Sequence, residues 1–178
     1  MEGLAAQRVI VGVSDSPGCL VALRRGYREA VSRGAELHVV HVCTLPAASF
    51  ADGYALAMAP DPGLLWEMAR VTLETACRNG LGRIPDDVPF QAIAIQGIPG
   101  RTLGQYADRP DDLVIVGSGT PRRRFGRRTV HEECVRETRG EVLVVPRPEL
   151  ERDYASGSSW SRRRRQRDCD DTLASLYH

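Results

Sequence analysis

Lysine is absent, so all 24 basic residues are arginine. Codon usage in a GC-rich genome is the plainest source of that bias, although guanidinium forks also favour bidentate contacts to phosphate or carboxylate. Surplus charge is missing too: 23 acidic residues leave a formal net charge of +1. That balance argues against a global nucleic-acid field, and nothing reads as an acidic tail. Cysteine pairs of the CxxC type are missing. The five cysteines (Cys19, Cys43, Cys77, Cys134 and Cys169) are scattered and odd in number, which fits a reducing compartment and neither a disulfide framework nor a zinc site. No apolar stretch approaches a membrane span, and no basic start with a long apolar core precedes Arg8. A cytoplasmic protein with neither a membrane nor a nucleic-acid partner is therefore expected. No internal repeat, P-loop, HxGH signature or nucleophile elbow is visible.

At 178 residues the chain suits one domain with a full core and some surplus. Val9-Ile10-Val11-Gly12-Val13 reads as a first strand. Ser16 can cap the following helix, Pro17 fits its first turn, and Leu20, Leu23, Tyr27 and Val31 repeat at helical spacing up to Gly34. Glu36 to Val42 is a second strand, so the unit is βαβ with parallel strands. Cys43 to Pro62 lacks periodicity and reads as a long loop. A helix follows with Leu64, Leu65, Met68, Val71 and Ala76 on or near one face, ending near Gly80. Phe90 to Ile95 is a third strand, and Gly97-Ile98-Pro99-Gly100 turns into a short helix carrying Leu103, Tyr106 and Ala107.

The stretch from Asp111 to Pro146 organises the rest. Leu113-Val114-Ile115-Val116 and Val142-Leu143-Val144-Val145 are short apolar runs, as expected of strands covered on both faces. Between them lie Gly117-Ser118-Gly119-Thr120, an arginine-rich loop from Pro121 to Arg128, and a helical segment from Thr129 to Arg139. Five strands alternating with four helices predict an open, doubly wound α/β sheet with helices on both faces. Its binding crevice is expected beyond strands 1 and 4, at Ser14-Asp15-Ser16 and Gly117 to Thr129, where glycine and a helix start can accept phosphate. The domain is placed at residues 1–147. The Arg-, Ser- and Asp-rich remainder, 148–178, reads as a disordered tail.

Over about residues 7–147 the sequence resembles the universal stress protein family. Five pieces in order carry the resemblance: Val13-Ser14-Asp15-Ser16, Gly34-Ala35-Glu36-Leu37 with His41-Val42, Gly97-Ile98-Pro99, Asp112 to Ser118, and Val142 to Pro146. The resemblance implies strand order 3-2-1-4-5 and a stress-response module that binds an adenine nucleotide, ATP or AMP. Val42 would then border the adenine, and Ser14 or Asp15 would contact the nucleoside. Gly117, Gly119, Thr120, Arg128 and Thr129 would lie along the phosphates.

The family's Gly-x2-Gly-x9-Gly-[Ser/Thr] pattern is altered here. Gly117 and Thr129 match its ends, Thr120 and Arg128 replace its second and third glycines, and the loop is about two residues short. Ser14 replaces the family's aspartate. Weak or absent ATP binding is expected, with Arg122, Arg123, Arg124, Arg127 and Arg128 as alternative phosphate partners. No catalytic machinery is evident. The alternatives are a nucleotide-hydrolysing or nucleotidyl-transferring enzyme on the same fold, and a dimeric interaction module independent of nucleotide. A homodimer is expected through the fifth strand, Val142 to Val145, as an uncharged sheet edge. His131 and Cys134, three apart on a helix, lack partners for a metal site. Cys19, Tyr27 and Tyr106 read as packing residues.

Overall fold

The structure, a computed structural model, describes residues 7–14, 16–44, 61–118 and 128–146. All of them lie in the first of two compact units, Met1–Pro146, so the expectation for the 148–178 tail falls outside the described residues. The elements are β1 (Arg8–Val13), α1 (Pro17–Arg33), β2 (Glu36–Cys43), α2 (Pro62–Leu81), β3 (Phe90–Gln96), α3 (Pro99–Tyr106), β4 (Leu113–Gly117), α4 (Val130–Glu137) and β5 (Glu141–Val145). Every strand pair is parallel and the order is β3-β2-β1-β4-β5. This is the predicted doubly wound sheet. Strand order reverses between β1 and β4, which opens a crevice at their C-terminal ends.

Uninterrupted apolar runs make sense in the central strands because successive side chains enter different cores. Val9, Val11, Val13, Leu37, Val39 and Ile115 pack with Cys19, Ala22 and Leu23 of α1 and Leu73, Ala76 and Cys77 of α2. Ile10, Val40, Val42, Val114 and Val116 pack on the other face with Leu103 of α3 and Cys134 of α4. Local signals set the helix ends. Gly34 closes α1 in the left-handed region (φ 61°), donating its N–H to the Ala30 and Val31 carbonyls. Asp61 caps α2, accepting from the Leu64 N–H.

Two helix faces depart from the sequence expectation. In α1 the buried line is Cys19, Ala22, Leu23, Gly26 and Ala30, and Val31 is 51% exposed. Small side chains let this helix lie close to the sheet. In α2 the buried line is Ala69, Leu73, Ala76 and Cys77, while Leu64, Met68 and Val71 are each at least half exposed. Of the apolar residues chosen from spacing, Ala76 lies on the true face, while Leu64, Met68 and Val71 lie on its flank. Helical periodicity finds an apolar stripe, but the position of the helix over the sheet selects which stripe is buried.

Candidate functional site

The ends of β1, β2 and β4 meet around the switch point. His41 stands in register with Val13, and its Nδ1 is 3.1 Å from the Val13 carbonyl oxygen, tying the two strand ends together. Val42 follows, only 9% exposed, with its side chain in the core shared with α3. Ser14 continues from β1 into the exposed rim. Its hydroxyl is 3.0 Å from that of Ser16, and its carbonyl accepts from the Cys19 thiol at 2.8 Å. Ser16 occupies the cap position of α1 without a side-chain bond to the helix, so its hydroxyl is directed to Ser14. Burial of Cys19 matches a packing role.

Gly117 ends β4 against the first turn of α1. A Cβ at this position would lie 3.0 Å from the Gly18 carbonyl oxygen and 3.2 Å from its carbon. Glycine here permits a close approach of two backbones, which brings the β4 end and the α1 start together. Ser118 continues along β5, donating its N–H to Val145 O at 2.8 Å.

Beyond the arginine-rich loop, Thr129 starts α4 with a reciprocal cap. Its hydroxyl accepts from the Glu132 N–H, and the Glu132 carboxylate accepts from the Thr129 N–H at 2.7 Å. The Thr129 N–H, followed by its hydroxyl, holds the Glu132 carboxyl below its ordinary pKa of 4.5. His131 Nε2 lies 3.0 Å from the same hydroxyl. Thr129 therefore occupies the predicted position with its hydrogen bonds already committed, and Glu132 and Glu133 place carboxylates in the first turn. Arg128 is exposed beside it.

Of the predicted site residues, Ser14, Val42 and Gly117 are brought to the strand ends, while Arg128 and Thr129 form the start of α4. Asp15, Gly119 and Thr120 lie outside the described residues, as do Arg122, Arg123, Arg124 and Arg127. A feature not anticipated from sequence is a hollow of about 260 Å³ beside Ser14, between the start of α1 and the middle of α2. Among the described residues, Ser14, Ser16, Thr72, Thr75 and Asn79 give it hydroxyl and amide groups. Thr72, Thr75 and Asn79 form a polar stripe at helical spacing, a signal hidden by the neighbouring apolar residues. Among the described residues no three His, Cys, Asp or Glu side chains are grouped to hold a metal ion, and no helix is long and apolar enough to cross a membrane.

Comparison with known proteins agrees with this geometry. A universal stress protein solved in complex with cAMP is 23% identical, with 80% of this chain and 98% of that chain covered and a TM-score of 0.56. UspA from Lactobacillus plantarum is 16% identical, with coverage of 79% and 97% and a TM-score of 0.59. A universal stress protein from Archaeoglobus fulgidus in complex with dAMP is 19% identical, with coverage of 79% and 98% and a TM-score of 0.51. At such identities the likeness is one of fold. No curated protein matches the sequence. The model of the universal stress protein family matches residues 5–146, most of the chain and all of the sheet just described, and the chain thus belongs to the universal stress protein family.

Proposed function

We propose that this protein is a cytoplasmic, non-catalytic stress-response module that takes an adenine nucleotide weakly in the crevice between β1 and β4. The observation that carries the reading is the close approach of Gly117 to the first turn of α1, which brings the end of β4 to the start of α1 at the point where strand order reverses. The hydroxyl and amide groups of Ser14, Ser16, Thr72, Thr75 and Asn79 in the adjoining hollow suit the hydroxyls of a nucleoside, since neutral donors and acceptors match neutral ligand groups. Proteins of the same fold have been solved with cAMP and dAMP.

Weakness follows from α4. A phosphate at its start would compete with Glu132 for the Thr129 N–H and face two first-turn carboxylates. The added phosphates of ATP therefore contribute little. Calorimetric titration of the full chain with AMP and with Mg-ATP tests this. The dissociation constants should agree within about threefold, with Mg-ATP weaker than about 10 µM. Nanomolar Mg-ATP binding would overturn it. The occupied cap also favours a second reading, an interaction module independent of nucleotide, for which neither ligand gives heat.

A further inference from the structure

Away from the crevice, α1 carries two arginine sets side by side. Arg25 and Arg33 both pair with Glu29, at 2.6 and 3.1 Å, so each has an acidic partner. Arg24 and Arg28 stand one turn apart on the neighbouring line, and among the described residues neither forms an ion pair with an acid. Two like charges at this spacing repel. Among the described residues, both donate to neutral carbonyls. Arg24 Nε donates to Gly80 O at 2.7 Å and Nη2 to Asn79 O at 3.3 Å, while Arg28 Nε donates to Arg24 O at 3.3 Å. The end of α2 offsets about half a charge at most, so positive charge remains.

These residues border an open groove of about 410 Å³, a size within the range of small-molecule sites. Tyr27, Leu81 and Pro85 give it apolar walls, and Arg83 closes one side. Arg83 is held by Asp86 and Asp87, and Asp87 also binds the Tyr27 hydroxyl, so its charge is already answered. Of the three arginines that line the groove, Arg24 and Arg28 are thus the two without an acidic partner among the described residues, and they stand beside an apolar wall.

We infer that this groove binds a small phosphate monoester with an apolar body. Its dianion is held by the open guanidinium N–H groups of Arg28 and Arg24, and its body lies on Leu81, Pro85 and the Tyr27 ring. Two guanidinium forks match a phosphate by charge and geometry. The site is independent of the nucleotide crevice.

The test is an NMR titration of the labelled full chain with phenyl phosphate and, separately, with inorganic phosphate. Phenyl phosphate should shift the amides of residues 24–28 and 80–85 with a dissociation constant of about 1 mM or tighter, and inorganic phosphate should bind at least about threefold more weakly. Arg28→Gln, whose one described bond is to a solvent-side carbonyl, should fold normally and weaken phenyl phosphate by about fivefold or more. Arg25→Gln should leave its affinity unchanged. The inference is overturned by no shift at about 10 mM ligand, by shifts confined to the Ser14 and Gly117 rim, or by equal losses in the two variants. Equal binding of the two phosphates would overturn the apolar subsite.

Discussion

Arg8 and Asp112, 104 residues apart in sequence, form a bidentate pair at the N-terminal edge of the sheet. Arg8 Nε and Nη2 donate to the two carboxylate oxygens of Asp112 at 2.8 and 2.6 Å. Arg8 begins β1 and Asp112 immediately precedes β4, so the pair clamps the two strands that bound the crevice at their opposite ends. The Asp112 side chain is fully buried, and it also accepts the Arg109 N–H at 3.0 Å. The Tyr106 ring lies 5.5 Å from the Arg8 guanidinium carbon. Asp112, burial and Asp108 act on Arg8 in that order, and the net effect raises its pKa, so it stays charged throughout the working range.

Removing one partner should expose the cost of leaving the other. Asp112→Ala is expected to destabilise the domain by about 3 kcal/mol, because it removes the buried bidentate partner of Arg8 and leaves the guanidinium only the exposed Asp108 carboxylate. Urea unfolding followed by circular dichroism measures this. A loss below about 1 kcal/mol would show that water replaces the carboxylate. Asp108 also binds Arg8, but its side chain is 69% exposed, and Asp108→Ala should matter far less.

The reciprocal cap of α4 predicts a pH signature. Because the Glu132 pKa is lowered on folding, its contribution is present above the ordinary value of 4.5 and lost as pH falls through the lower folded value. Wild type should therefore exceed Glu132→Gln in stability at neutral pH, and the two should converge as the pH falls below the lowered folded value. Thr129→Ala should cost about 1 kcal/mol at neutral pH. A wild-type advantage that persists unchanged in acid would remove the carboxylate from the explanation.

Gly117→Ala should push the first turn of α1 from β4, since the new methyl meets backbone that cannot rotate away. A loss of about 1–3 kcal/mol is expected, together with loss of AMP binding by calorimetry. Unchanged stability and unchanged binding would show that the two backbones separate freely.

The α2 faces separate burial from apolar character. Leu73, 5% exposed, should cost about 2–5 kcal/mol as Leu73→Ala. Met68, 59% exposed, should change stability by no more than about 0.5 kcal/mol as Met68→Ser. Thermal melts of the two variants check the contrast, and similar losses would mean that the Met68 flank is covered in solution.

β5 is an edge of the sheet, paired on one side with β4. Its half-buried run, Val142, Leu143, Val144 and Val145, carries no charge. We propose that two copies pair through this strand about a two-fold axis. Light scattering of wild type should give the mass of a dimer, and Val144→Arg that of a monomer. A monomeric wild type at high micromolar concentration would end the proposal.

The strands were legible in the residue order because a central strand of a parallel sheet is apolar on both faces, and Val9–Val13 or Leu113–Val116 cannot be mistaken for an exposed segment. The helix ends were legible too, since Gly34 and Thr129 act through bonds to residues a few positions away. Gly117 was singled out from sequence for phosphate approach, whereas the contact it makes, with the Gly18 carbonyl, belongs to another element. What remained hidden depends on how elements lie together in space. The buried flank of α2 follows from where that helix rests on the sheet, and its own periodicity offered Leu64 and Met68 instead. Arg8 with Asp112 and Arg24 with Gly80 join positions far apart in the chain. Their pairing energies depend on burial and distance, quantities that arise only when the sheet closes and the helices dock.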